Sequence, residues 1–339
     1  MSTTCWARLT LSLNESVLSQ AAIVTILGYF SVATGPRSTL AFNGLKNGGQ
    51  RPRPCAFESD PLQTKEENDT KRPSATSLTV ATYNVNGVNG RLPRLLEWLR
   101  ETGPDLVCLQ ELKTDDAKFP ARAIHEAGYG AIWHGQRAHH GVAILAKDES
   151  PKELRRGLPG EPSDNQSRYL EAEAKGLVIA SIYLPNGNPV GSPNFDYKLL
   201  WFERFIQYAK RLYASGKPVV LAGDLNVIPT DFDIYNPTWW RFDAVMQPAA
   251  RDAFRRLLAQ GWMDAARQFH PAERMYTYWV NDIAFRQNKG MRLDFLLLSA
   301  PLQAGVTAAG VDTEYRGREK PSDHTPTWVA LRYRAVPSK

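Results

Sequence analysis

Apolar residues change their period repeatedly after Leu78, and each change marks an element. Leu78-Thr-Val-Ala-Thr-Tyr-Asn-Val85 has the β-branched and aromatic character of a strand, and Leu92, Leu95, Leu96 and Leu99 then recur at helical spacing until Gly103-Pro104 stops the turn. Asp105 to Gln110 reads as the next strand, and Pro120 to Ala127 as a short helix ended by Gly128. Gly141 to Leu145 and Leu177 to Leu184 are further strands. Leu199, Phe202, Ile206 and Ala209 give a long helix one buried stripe, and Pro218 to Ala222 is again short and apolar on both faces. Arg251 to Leu258 is helical, while Tyr276 to Val280, Leu293 to Leu298 and Trp328 to Tyr333 read as strands.

Apolar strand faces must each find a cover. Two strand-rich halves, each with helices, therefore predict an α/β fold in which two mixed sheets pack face to face with helices outside. No GxGxxG or phosphate-binding loop follows the first strand, which argues against a nucleotide-binding doubly wound fold.

This rhythm is absent before Leu78. Residues 1–77 are expected to form a leader and linker, 78–335 one catalytic domain and 336–339 a tail. The apolar run from Ala21 to Ala33 is shorter than the roughly 20 residues a membrane-crossing helix needs, so no membrane span is predicted. The run suits the core of a signal peptide, although Arg8 is the only positive side chain before it. The acid-poor segment up to Cys55, with Glu15 as its only acid, suits an organelle transit peptide. The plainer reading, a dispensable extension, is preferred. Residues 46–77 have the charged, Pro- and Ser-rich composition of a disordered linker.

Charge and cysteine content narrow the setting only slightly. The 41 basic and 35 acidic residues leave a net charge of +6, which permits a polyanionic partner without requiring one. Cys5, Cys55 and Cys108 form no spaced metal pattern and cannot all pair, as expected for a reducing, intracellular setting.

The informative polar residues recur at the ends of apolar strands, where a rigid scaffold aims them into one cleft. Asn84-Val-Asn86-Gly87 ends the first strand with two amides on one face, although Asn-Gly alone is usually a turn. Leu109-Gln-Glu111-Leu-Lys113 sets a carboxylate directly after a buried strand, a hard oxygen donor suited to magnesium but equally an ordinary strand-end acid. Tyr183-Leu-Pro-Asn186 offers a phenol and an amide to phosphate oxygens, against an even alternative of a structural tyrosine. Gly223-Asp224-Leu-Asn226 puts a carboxylate beside an amide, after a glycine that permits close backbone approach; a base next to a donor is what attack of water on phosphorus requires. Asp294 lies inside the apolar run Arg292-Leu-Asp-Phe-Leu-Leu-Leu298 and needs a partner. Ser322-Asp323-His324 supplies an imidazole of the kind a buried carboxylate orients. His139 and His140 point to opposite sides of the chain and are not expected to share a metal.

Together and in this order, these pieces resemble the exonuclease III and AP endonuclease family, over about residues 78–335. The shared wording is Asn84-Val-Asn-Gly, Leu109-Gln-Glu-Leu-Lys, Tyr183-Leu-Pro-Asn, Gly223-Asp-Leu-Asn, Arg292-Leu-Asp-Phe-Leu-Leu-Leu-Ser and Lys320-Pro-Ser-Asp-His-Thr-Pro. The resemblance implies a four-layered α/β sandwich and hydrolysis 5′ to abasic sites, with 3′ to 5′ exonuclease and 3′-phosphatase activity on blocked ends of double-stranded DNA. It implies magnesium, replaceable by manganese, held by Asn84, Glu111 and Asp323. Asp224 would orient or deprotonate water, with an ionised Tyr183 as the alternative base; Asn226 would steady Asp224. His324 on Asp294 would donate to a phosphate oxygen, which Tyr183 and Asn186 would grip. Tyr278, Met291 and Leu293 match a pocket for a flipped-out sugar, with core packing as the plainer role, and Arg168 matches a phosphate contact or a surface arginine. A monomer is expected. Rival readings are another phosphodiesterase of the same fold, acting on undamaged DNA, inositol phosphates or sphingomyelin, and a non-catalytic DNA-binding module. The leader and the insertion-like segment from Tyr235 to Trp240 depart from the family pattern.

Overall fold

The computed structural model describes residues 76–333. The expected leader before Thr76 and the tail lie outside the described residues.

Among the described residues, twelve strands form two six-stranded sheets. The first contains β1 (Thr76–Asn84), β2 (Leu106–Gln110), β3 (Tyr129–His134), β4 (Val142–Lys147), β11 (Val306–Val311) and β12 (Thr327–Tyr333), in the order β11-β12-β1-β2-β4-β3. The second contains β5 (Lys152–Arg156), β6 (Tyr169–Ala174), β7 (Leu177–Tyr183), β8 (Val219–Asp224), β9 (Met263–Asp264) and β10 (Asp294–Leu298), in the order β5-β6-β7-β8-β10-β9. One parallel pair lies inside each sheet, β1 with β2 and β7 with β8, and the remaining ladders are antiparallel.

The sheets pack through one apolar layer. Val80, Cys108 and Ile144 of the first sheet meet Ala172, Ile179, Val220 and Leu296 of the second. The outer face of the first sheet is covered by α1 (Val88–Thr102) and α2 (Ala121–Glu126), which bring Leu95, Trp98, Leu99 and Ile124 onto Tyr83, Leu109 and Leu145. The outer face of the second is covered by α3 (Pro193–Ala214) and α4 (Pro248–Leu258), through Trp201, Phe202, Phe205, Phe254 and Leu257. Helix, sheet, sheet, helix is the expected four-layered sandwich. Gly103 ends α1 in the left-handed region at φ 57°, where a side chain would be strained.

The sequence reading needs correction in four places. Tyr276 to Val280 is not a strand: Tyr278 makes single bridges to Met291 and His324, and the chain leaves at once into a helix capped by Asn281. Its aromatic β-propensity is spent on tying two loops together. Strands β3, β5, β6, β9 and β11 escaped the pattern; β5, Lys-Glu-Leu-Arg-Arg, is exposed at every position and carries no apolar signal. The buried stripe of α3 is wider than expected: Phe202, Ile206 and Ala209 are buried as the spacing predicts, Lys198, Trp201 and Phe205 join them, and Leu199 is only half-buried. Strand β1 also begins at Thr76, two residues before the expected domain start.

Candidate active site

The topology gathers polar groups at one end of the sandwich. Asn84 ends β1, Glu111 follows β2, Tyr183 ends β7 and Asp224 ends β8, so both parallel pairs deliver their carboxyl ends to one place. The antiparallel β10 contributes its first residue, and Asp294 stands in register with Asp224. Residues 322–324 arrive just before β12. Gly223 lets this happen, because a Cβ there would lie 1.9 Å from the Ile182 carbonyl oxygen.

Asn84 links the halves. Its buried Nδ2 donates to Glu111 Oε1 at 2.9 Å and to Asp224 Oδ2 at 3.0 Å. Tyr183 donates its hydroxyl to the same Glu111 oxygen at 2.8 Å. Asn226 donates its backbone N–H to Asp224 Oδ1 at 2.9 Å, and its side-chain oxygen accepts from Asn186 Nδ2 at 3.1 Å. His324 Nδ1 lies 2.8 Å from Asp294 Oδ2, while Nε2 lies 3.7 Å from Asp224 Oδ2. Asn86, Glu111, Lys113 and Asn226 all adopt left-handed φ values, from 44° to 52°. Such positions cost non-glycine residues about 1 kcal/mol each and concentrate where geometry serves function.

The electrostatics follow from this packing. Burial works against a charged His324, but the carboxylates of Asp294 and Asp224 outweigh it and push the imidazole up to about 10. Burial, reinforced by Asp294, raises Asp224 to about 7 against the opposing charge of His324. Burial opposes ionisation of Glu111, yet Lys113 and the Asn84 amide hold its carboxyl below the usual range. Burial and then the nearby Glu111 and Asp224 push the Tyr183 phenol well above its ordinary value. This works against an ionised Tyr183 as base.

Donor atoms of Glu111, Asp224 and His324 all fall within 4.8 Å of one another. An imidazole that keeps its proton cannot ligate, so the donors remaining are oxygens, the set a hard divalent cation prefers. Lys113 Nζ, 2.7 Å from Glu111 Oε2, pairs with this carboxylate. Asp323 lies one step out: its Oδ1 accepts from Asn86 Nδ2 at 2.9 Å, and Asn86 Oδ1 accepts from Lys113 Nζ.

Residues 81–324 match the Endonuclease/Exonuclease/phosphatase family. The chain belongs to that family. Among its family relatives, the exodeoxyribonuclease III of Haemophilus influenzae is 32% identical over 263 residues, covering 74% of this chain and 98% of that protein. The DNA repair nuclease APEX1 of Danio rerio is 32% identical over 300 residues, covering 86% and 93%. An AP endonuclease structure from Archaeoglobus fulgidus superposes with a TM-score of 0.73 at 33% identity, over 76% of this chain and all of that one. A variant of the 3′ phosphatase NExo from Neisseria, bound to a product DNA hairpin, gives a TM-score of 0.73 at 35% identity, with the same coverage.

In this family member the remaining expected residues sit around the cluster. Arg168 is not a solvated surface arginine: it is 7% exposed, lies 4.8 Å above the Tyr183 ring and donates to the Tyr183 carbonyl. Met291 and Leu293 are buried with Ile228, Ile234, Val245 and Met246, while the half-buried Tyr278 covers them and sits 4.8 Å from the His324 ring. The segment from Tyr235 exposes Trp239, and Phe242 just beyond it, at 69% and 74%. Sequence reasoning gave no role to Asn86, Lys113 and Ser322, although it quoted all three. Ser322 Oγ donates to the Asn84 carbonyl at 2.7 Å and anchors the His324 segment. Lys198 was missed altogether. Among the described residues, no helix is long and apolar enough to cross a membrane.

Proposed function

We propose that the protein is a magnesium-dependent DNA phosphodiesterase that cleaves on the 5′ side of abasic sites, with 3′ to 5′ exonuclease and 3′-phosphatase activity on the same site. One observation carries this reading: Asn84 joins Glu111 and Asp224 while His324, held by Asp294, faces Asp224. Relatives named exodeoxyribonuclease III, DNA repair nuclease and 3′ phosphatase support the DNA substrate.

Phosphodiester hydrolysis places negative charge on non-bridging and leaving oxygens, so the site needs a base, fixed donors and positive charge. Asp224 is the base, steadied by the N–H of Asn226. The raised Tyr183 phenol keeps its proton and, once its hydroxyl turns from Glu111 to the substrate, joins Asn186 and the His324 imidazolium in donating to the phosphate. Glu111, Asn84 and Asp323 would hold magnesium, with manganese as a substitute. When bound, the ion neutralises charge developing on phosphate oxygens. Tyr278, over Met291 and Leu293, forms the side of the site that receives a baseless sugar, and Arg168 steadies Tyr183 from behind. Arg241 over Phe242, and Lys289 about 6 Å from Trp239, continue this side with aromatic and cationic groups suited to a nucleic-acid strand. The catalytic unit is proposed to run from Thr76 to about residue 335, acting as a monomer inside the cell.

The test compares cleavage of an abasic duplex, an undamaged duplex and an inositol phosphate, each titrated with magnesium. Selective, magnesium-dependent incision of the abasic duplex is expected. Preference for the inositol phosphate, or equal cutting of undamaged DNA, would overturn the reading.

A further inference from the structure

Helix α3 buries a lysine whose only polar contacts, among the described residues, are two backbone carbonyls. Lys198 is fully inaccessible, and its Nζ donates to the Asn186 oxygen at 2.9 Å and the Asn226 oxygen at 2.6 Å. As core filling this is an expensive choice. A buried ammonium loses hydration that two neutral carbonyls restore only in part, and a Leu or Met would fill the space without that loss. Burial accordingly pulls Lys198 down to about 7, with Asp243 and Asp224 opposing the shift.

The two carbonyls belong to residues that end different strand-to-loop connections. Asn186 closes the Tyr183-Leu-Pro-Asn turn after β7, and Asn226 closes the Gly-Asp224-Leu-Asn turn after β8. Asn226 is held at φ 44°, in the left-handed region that asparagine tolerates better than other side chains and that its neighbours here fix in one arrangement. Its side chain is also engaged, with Nδ2 donating to the Leu184 carbonyl at 2.9 Å and Oδ1 accepting from Asn186. The backbone N–H that this conformation aims is the one that Asp224 accepts. The lysine stem is fitted to its place as well, since a Cβ on Gly187 would lie 2.5 Å from Lys198 Cδ.

We propose that Lys198 is a positioning residue for hydrolysis: one ammonium clamps the Asn186 and Asn226 carbonyls, fixes the Asn226 turn and so aims the Asp224 carboxylate. The inference rests on the role given to Asp224 above. It predicts a larger effect on the chemical step than on DNA binding, because Lys198 is inaccessible to any ligand and Asn186 is one of several donors to the phosphate.

The experiment uses the full chain with Lys198→Met, which keeps the stem and removes all donors, and Lys198→Gln, which keeps donors without charge. Single-turnover incision of an abasic duplex, affinity for that duplex in chelator, and the side-chain amide NMR signals of Asn186 and Asn226 are measured. Lys198→Met should turn over on the order of 100-fold more slowly, the scale of a small misplacement at a reacting centre, with a much smaller loss of affinity. Lys198→Gln should fall between it and the wild type, and the amide signals should shift or broaden in both. A folded Lys198→Met with wild-type turnover, or equal losses of affinity and turnover, overturns the proposal. If Lys198→Met does not fold, Lys198→Gln decides: wild-type turnover with unmoved amide signals overturns the clamp. If the wild type itself cuts no abasic duplex, the functional reading fails separately, and the amide signals still decide whether Lys198 holds the two turns.

Discussion

His324 Nδ1 lies 2.8 Å from Asp294 Oδ2, and both side chains are buried, at 4% and 0% exposure. Asp294 sits at the first position of an otherwise apolar strand, and its other oxygen meets no protein donor among the described residues. A buried carboxylate is tolerated when paired, and this pairing also fixes the imidazole so that Nε2 faces Asp224.

The pair should therefore act as one unit. His324→Ala is expected to slow single-turnover incision by about two to four orders of magnitude, as for loss of a positioned proton donor. Asp294→Ala combined with His324→Ala should add little further. The four-way comparison, with folding followed by circular dichroism, checks this; losses that multiply would make Asp294 only a structural carboxylate.

Glu111→Ala should raise the magnesium concentration needed for activity and lower the rate, with the fold retained. Glu111 follows β2 in a left-handed turn at the cleft, bonded to Asn84, Tyr183 and Lys113, and supports no apolar cluster. Titrating magnesium against incision for both proteins measures it, and an unchanged requirement and rate would remove Glu111 from the site.

Arg292 tests the scaffold under the site. Its buried guanidinium donates to Asp233 at 2.7 Å and to Asp264 at 2.6 Å, and both carboxylates are themselves nearly inaccessible. Arg292→Met strands those charges, a change that typically costs about 3–5 kcal/mol. Urea unfolding should show the loss, and a variant within experimental error of the wild type would mean that Arg267, also on Asp233, suffices.

Deleting residues 1–75 should leave incision nearly unchanged, because the first described strand begins with Thr76 paired to Tyr333 and every proposed site residue lies beyond it. Activity of the soluble truncated chain measures this, and a large loss with an intact fold would give the leader a part in the enzyme.

The four layers were legible because both faces of β2, β4, β7, β8 and β10 are apolar, and a sheet buried on both sides announces itself. Strand β5 was not, since an exposed edge strand carries no burial pattern. At the site, polar residues ending apolar runs stood out, and the structure gathers Asn84, Glu111, Tyr183, Asp224, Asn226, Asp294 and His324. Lys198 was invisible for the opposite reason: a charged residue within a helix reads as solvent-facing, and only the third dimension places it under two turns. Asn86 shows a related limit. It read as an amide on the same face as Asn84 or as a plain turn residue, while its side chain connects Asp323 to Lys113 across more than 200 positions of sequence.

The protonation of the site should also be visible in stability. In metal-free protein, burial raises Asp224 from 3.8 to about 7, and the two flanking carboxylates, against burial, raise His324 from 6.5 to about 10. Both groups thus hold protons more tightly folded than unfolded. For Asp224 the favourable contribution is complete below 3.8 and is lost as pH rises through about 7; for His324 it is complete below 6.5 and is lost as pH rises through about 10. Stability falls wherever the native state binds more protons than the unfolded one, so both groups give the same sign. Urea unfolding in chelator should show stability declining from pH 6.5 to 10, and Asp224→Asn with His324→Gln should flatten that decline. An equally steep decline in the double variant would mean that other groups carry it and that the site does not retain its extra protons.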